Sequence, residues 1–187
     1  MSLIVVKPNS SHRQAFLRML DDYLMNDPDN VGGYALAATN FEKYLRSLED
    51  EETGFNLLPG IVAGSHRWLL DSAGEIVAVV RTRYTIDTPF LNSVGGHIGY
   101  DVAPSQRGKR YSIAALSAGL DEARRVGLDR VMVCADAENT RSCRTIERCG
   151  GVLEMEFLSE HWPIPVRRYW FELSGTSDAP NVQSHHR

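Results

Sequence analysis

The sequence predicts one mixed α/β domain, and three observations carry that reading. Short β-branched and aromatic runs are interspersed with segments whose apolar residues recur every three or four positions. Their order is strand, two helices, three strands, helix, strand, helix, two strands, which lacks the regular alternation of a doubly wound parallel sheet. The 187 residues, 43% hydrophobic and 24% charged, suit a single core of ordinary composition. The domain is expected over residues 1–174, with the polar, aperiodic stretch at 175–187 as a tail.

The elements follow in order. LIVVKP (3–8) reads as a strand stopped by Pro8, and Ser10 or Ser11 can cap the next helix. That helix places Ala15, Phe16, Met19, Leu20, Tyr23 and Leu24 on one side. A second helix is predicted from about Asn40 to Leu48, with EDEE (49–52) as its solvated end. RWLLD (67–71) and EIVAVVRTRYTI (75–86) flank SAGE as a hairpin, Gly74 supplying the positive φ of the turn. DTPFLNSVGG is read as a loop, and HIGYDV (97–102) as a strand. A helix is predicted over 108–126, followed by the buried-type strand DRVMVCAD (129–136) and a helix from Asn139 to about Cys149. GVLEMEFLSE and IPVRRYWFEL form the last two strands, with Pro163 and Pro165 between them.

Composition narrows the function. A formal net charge of -4 argues against a general nucleic-acid binder. No apolar run approaches the roughly 20 residues of a membrane helix. The start, MSLIVVKPNSS, lacks the basic and long apolar regions of a signal peptide. Cys134, Cys143 and Cys149 form no CxxC pair, which fits reduced thiols in a cytoplasm and predicts no metal site.

The informative stretch is GYDVAPSQRGKRYSIAAL (99–116), a basic, glycine-containing turn between a strand and a helix. Helix N-termini expose unpaired N–H groups and partial positive charge, and glycine admits an anion to the backbone. The turn is therefore either a phosphate cradle or a solvated basic turn. Neither GxxxxGK[ST] nor GxGxxG is present. Further on, NTRSCRTIERCGG opens a helix at Asn139, which serves as a cap or contacts a ligand; Asn139, Ser142 and Ile146 share one face.

Together these segments resemble the GNAT superfamily of N-acetyltransferases. VAPSQRGKRYS resembles its acetyl-coenzyme A motif and NTRSCRTIERCGG its following helix, and GGHIGYDVAPSQRGKRYS resembles the segment of a little-characterised bacterial subgroup. The element order from residue 3 to 173 matches as well. The resemblance implies a central, mostly antiparallel sheet of about seven strands flanked by four helices. It implies acetyl-CoA as cosubstrate, with the backbone of Val102 bonding the pantetheine arm and polarising the thioester. The N–H groups of Arg107, Gly108, Lys109, Arg110, Tyr111 and Ser112 are then expected around the pyrophosphate, and Asn139 and Ser142 along the far side. Against the superfamily pattern of Gln or Arg, two residues, Gly, one residue, Gly or Ala, the first position here is Ser105 and the last Arg110. An early-helix conformation at Arg110 needs no glycine. The Tyr that protonates the thiolate in many members is here Ile146.

For acetyl transfer to an amine, His97 is the candidate general base, on the strand ending at Val102 and with a reference pKa near ~6.5. Alternation puts His97, Gly99 and Asp101 on one face. The competing reading is a histidine that only hydrogen-bonds in the sheet. Tyr100 and Tyr111 are candidate acids. Residues 27–64 and 87–96 are expected at the mouth of the acceptor site, where Asp27, Asp29 and Asp87 attract an amine. The expected partner is a small-molecule or peptide amine acetylated in a ternary complex, with a homodimer as an option, and neither nucleic acid nor membrane. The alternative is a non-catalytic acyl-coenzyme A-binding sensor or assembly module of the same fold.

Overall fold

The computed structural model describes residues 3–173, so the tail expected at 175–187 lies outside the described residues. Strands β1 (Ile4–Val6), β2 (Gly64–Leu70), β3 (Ile76–Arg83) and β4 (Ile98–Val102) form an antiparallel sheet in that order. Strands β5 (Arg130–Asp136), β6 (Val152–Ser159) and β7 (Trp162–Glu172) form a second antiparallel sheet, in the order β5-β7-β6. The seven expected strands are present, but the hydrogen-bonded ladder is interrupted between β4 and β5.

At the start of that interruption the strands do touch. The His97 N–H donates to the Met132 carbonyl at 2.8 Å, and the Met132 N–H donates back to His97 Nδ1 at 3.0 Å. Gly96 makes the approach possible: its φ is +64°, and a Cβ there would stand 2.7 Å from the Met132 oxygen. Beyond His97 no ladder joins the strands, and a gap opens.

The helices are α1 (Arg13–Asn26), α2 (Ala35–Thr39), α3 (Phe41–Thr53), α4 (Tyr111–Arg125) and α5 (Thr140–Arg148). The cap ahead of α1 is Asn9, whose side chain accepts the Ser11 N–H at 3.0 Å, and not Ser10 or Ser11. Asn40 caps α3 by accepting the Lys43 N–H at 2.9 Å, and Gly54 ends it in the left-handed conformation. EDEE belongs to this helix. The β2–β3 turn has Gly74 at φ +78°, with the Asp71 carboxylate accepting two backbone N–H groups. Pro163 and Pro165 lie within β7 rather than before it. They are tolerated because they precede Val166, where the ladder to β5 begins.

Two cores hold the molecule together. On one face Phe16, Tyr34, Phe41, Tyr44 and Trp68 cluster beneath α1 and α3. On the other, α4 and α5 cover both sheets, with Leu116 and Ile146 packed against Val80, Ile98, Val133 and Tyr169. This second core fixes the two sheets around the gap.

Candidate active site

In an antiparallel ladder, alternate residues turn their N–H and C=O groups towards the partner strand and away from it. The Arg83 N–H donates to the His97 carbonyl, and the Ala103 N–H to Val77. The His97 carbonyl, the backbone groups of Gly99 and Asp101, and the Ala103 N–H therefore face β3. Ile98, Tyr100 and Val102 present their backbone groups to the gap. The Val102 carbonyl accepts from the Tyr23 hydroxyl and from Arg107 Nε, both at 3.3 Å.

The gap widens into a cavity of about 700 Å³. Of the nine residues expected to hold a cofactor, Val102, Arg107, Gly108, Arg110, Tyr111, Ser112, Asn139 and Ser142 line it. Lys109 does not; its ammonium donates to Gln106 at 2.8 Å. Asn139 fills both roles open to it, since it lines the cavity and its Oδ1 accepts the Ser142 N–H at 3.0 Å.

The loop differs from expectation at Arg110. The helix begins at Tyr111, not at 108, because Gly108 has φ +85° and Arg110 has φ +66°. Arg110 is thus left-handed, the conformation glycine favours, and an arginine there costs about 1–2 kcal/mol. The early-helix conformation expected at Arg110 is therefore replaced by a turn with two positive-φ residues, Gly108 and Arg110.

Arg141, Arg144 and Arg148, at i, i+3 and i+7 on α5, line the same cavity and were not anticipated from the sequence. Their spacing was the signal available. Among the described residues none of them, nor Arg110, forms an ion pair. Arg107 is neutralised by Asp27, whose carboxyl Arg107 and Asn30 hold below the usual carboxylate range. Asp27 is consequently committed to this loop rather than to an amine, and Asp87 accepts from the Thr85 hydroxyl.

Deeper in, the Tyr100 hydroxyl and Ser142 Oγ share a 2.8 Å hydrogen bond, and burial pushes the phenol pKa up to about 12. Ile146 is fully buried in the core and contributes nothing to the cavity.

A second cavity, of about 600 Å³, lies against β2 and β3. Tyr34, Glu51 and Phe90, from the two segments expected at the acceptor mouth, are among its walls, together with His66, Arg81 and Arg83 of β2 and β3. Asp101 links it to the first. Asp101 lines the cofactor cavity, while its Oδ2 accepts from Arg81 at 3.0 Å and from the Tyr34 hydroxyl at 2.8 Å, both walls of the second.

His97 is not at this junction, which corrects its reading as a base. It is only 7% exposed and lines neither cavity. Nδ1 already accepts from Met132, so the neutral ring carries its proton on Nε2, and burial lowers its pKa. The residue of that strand face which does reach the junction is Asp101.

Among the described residues no helix is long and apolar enough to cross a membrane, and no cluster of three potential metal ligands occurs. The three cysteines are free thiols, and burial pushes Cys134 up to about 11.

The family model described as acetyltransferase (GNAT) domain matches residues 2–152. No curated protein matches the chain. Among solved structures, yncA of Salmonella typhimurium, determined with its cofactor acetyl-CoA, is 12% identical. The match covers 98% of this chain and all of that one, with a TM-score of 0.63. The microcin C7 self-immunity acetyltransferase MccE, in complex with acetyl-CoA and AMP, is 15% identical over 91% of this chain and 92% of its own, with a TM-score of 0.65. A chimera of the Vibrio cholerae spermidine N-acetyltransferase SpeG and hSSAT is 16% identical over 93% and 97%, with a TM-score of 0.60. At these identities the likeness establishes the fold.

Proposed function

Because the chain belongs to the GNAT acetyltransferase family and acetyl-CoA is its cosubstrate, we propose that it is an N-acetyltransferase. It transfers the acetyl group to a primary amine by direct attack, with both substrates bound at once. The observation that carries this reading is the position of Asp101, which lines the cofactor cavity while its carboxylate is bonded to Arg81 and Tyr34 of the second cavity's wall.

The residues present fit acetyl-CoA. Arg110, Arg141, Arg144 and Arg148, which form no ion pair among the described residues, offer charge to its phosphates, and nothing lies within 4 Å of where a Gly108 Cβ would be. The outward N–H groups of Tyr100 and Val102 suit an extended chain laid along β4. Acetyl-CoA supplies an activated carbonyl and a thiolate leaving group. Backbone N–H groups directed at a developing oxyanion contribute about 3 kcal/mol, and holding the two reactants together contributes up to roughly 7–11 kcal/mol.

Arg81 and Tyr34 both hold Oδ2 of Asp101, which leaves Oδ1 to accept a hydrogen bond, and then the proton, from the incoming amine. The Tyr100 hydroxyl stays protonated at neutral pH and is placed to donate to the leaving thiolate, with Ser142 orienting it. This assigns to β4 the acid that Ile146 cannot provide. The free thiols support a reducing, cytoplasmic setting.

The test is release of free thiol from acetyl-CoA by the purified chain across primary amines and matched alcohols. Intersecting initial-velocity lines with an amine support the ternary complex; parallel lines or an acetylated enzyme would defeat it. Asp101→Asn should lower kcat by about 10²-fold and leave coenzyme A affinity unchanged. Coenzyme A binding without turnover on any amine would favour the sensor reading instead.

A further inference from the structure

The second cavity holds two guanidiniums side by side. Arg81 and Arg83 are two residues apart on β3, so both leave the same face of the sheet. Both lean over Gly99 of β4, where an added Cβ would stand 3.8 Å from Arg81 Nε and 3.9 Å from Arg83 Nη1. Their partners differ. Arg81 is ion-paired with Asp101 at 3.0 Å. Arg83 meets only backbone, Nη1 donating to the carbonyls of Gly95 at 3.3 Å and Gly96 at 3.0 Å.

Among the described residues no carboxylate is within ion-pair distance of Arg83, and its Nε and Nη2 make no hydrogen bond. Glu51, which lines the cavity, is engaged by His66 at 2.7 Å. Burial first, and the charge of Arg81 second, press the Arg83 pKa down to about 10, so the cation is held in unfavourable surroundings. A cation in that position gains most from a bound anion, and the planar guanidinium fork matches a carboxylate in two parallel hydrogen bonds. A polycationic amine would meet two like charges instead.

We infer that the acceptor is an amine that carries a carboxylate, an amino acid or peptide-like zwitterion, and that Arg83 binds the carboxylate above Gly99 while the amine lies towards Asp101. The inference rests on the amine acetylation proposed above. Gly99 and Asp101 are two residues apart on β4, about 7 Å, so the two ends of such a compact molecule reach the two sites together. Gly99 leaves open the floor on which the carboxylate lies.

The test pairs amino acids and dipeptides with their own carboxamides, alongside diamines. Each is assayed by thiol release and, separately, by calorimetric binding to the full chain without acetyl-CoA. Carboxylates should bind and react at least tenfold better than their carboxamides. Arg83→Gln should raise KM for the carboxylates tenfold or more with kcat within about threefold, and remove the preference over carboxamides. Arg83→Lys should restore part of it, and KM for acetyl-CoA should not move. Gly99→Val, which fills the floor without removing charge, should weaken the same amines and keeps the inference falsifiable if Arg83→Gln does not fold. Binding that depends on Arg83 without turnover would sink the proposed reaction and keep the anion site. Preference for carboxamides or diamines, or no carboxylate binding across the panel, would overturn the inference while leaving acetylation of other amines intact.

Discussion

The imidazole of His97 accepts the backbone N–H of Met132, 35 residues further along the chain, at 3.0 Å, just where the two sheets cease to share hydrogen bonds. With the return bond from the His97 N–H to Met132, it pins the closed end of the gap, and the cofactor cavity begins beyond it.

His97→Ala should therefore damage stability before chemistry. It leaves the buried Met132 N–H without its acceptor, at a cost of about 1–3 kcal/mol, while coenzyme A affinity and the pH profile of kcat/KM stay close to wild type. His97→Asn, which keeps an acceptor near the position of Nδ1, should restore much of the loss. The acid response has a definite sign. The folded pKa lies below the unfolded one, so the stabilising contribution is complete above pH ~6.5 and fades as pH falls from there through the folded value. Denaturant midpoints between pH 7 and 5 should show this component in the wild type and lack it in His97→Asn. An ascending kinetic limb lost in both variants would return His97 to the role of base.

Arg110→Gly should stabilise the free protein by about 1 kcal/mol, because it relieves a left-handed arginine. The same change removes charge from the cofactor cavity, so coenzyme A should bind a few-fold more weakly at low salt and nearly normally at physiological salt. Arg110→Glu should weaken binding further without stabilising. Chemical denaturation and titrations at two ionic strengths separate conformation from charge, and equal effects of the two substitutions would refute the assignment.

Tyr100→Phe should lower kcat by about 10²-fold with little change in either KM. Ser142→Ala, which leaves the phenol but frees its orientation, should lower it less. If a substrate ester with a better thiolate leaving group recovers most of the Tyr100→Phe loss, the hydroxyl acts as the acid. Equal losses for good and poor leaving groups would make Tyr100 a packing residue.

Much of this architecture was legible in the sequence because its causes are local. The stripe from Ala15 to Tyr23, the hairpin turn with Gly74 and the cap at Asn139 each follow from a few neighbouring residues. The interruption between β4 and β5 is not local: DRVMVCAD reads as an ordinary buried strand, and only the fold reveals which edge lacks a partner. Arg110 misled because a charged residue between Lys109 and Tyr111 looks helical, whereas its backbone must complete a turn that glycine usually makes. Helix α2, five residues long, has too short a period to register. Asp101 was placed on the correct face of its strand, yet its significance depends on Arg81 and Tyr34, which are distant in sequence. The basic stripe of α5 was visible as spacing but not as a wall, since nothing in the sequence says what faces it.

The half-paired backbone of β4 makes the strand a reporter of its own occupancy. Gly99 and Asp101 point their amides into the β3 ladder, while Tyr100 and Val102 point theirs into the gap. In deuterated solvent, amides one residue apart along a single five-residue strand then exchange at very different speeds, slow where β3 shields them and fast where the gap admits water. A molecule lying along the strand erases that alternation residue by residue, so occupancy of the cleft can be followed at individual amides without a single catalytic turnover.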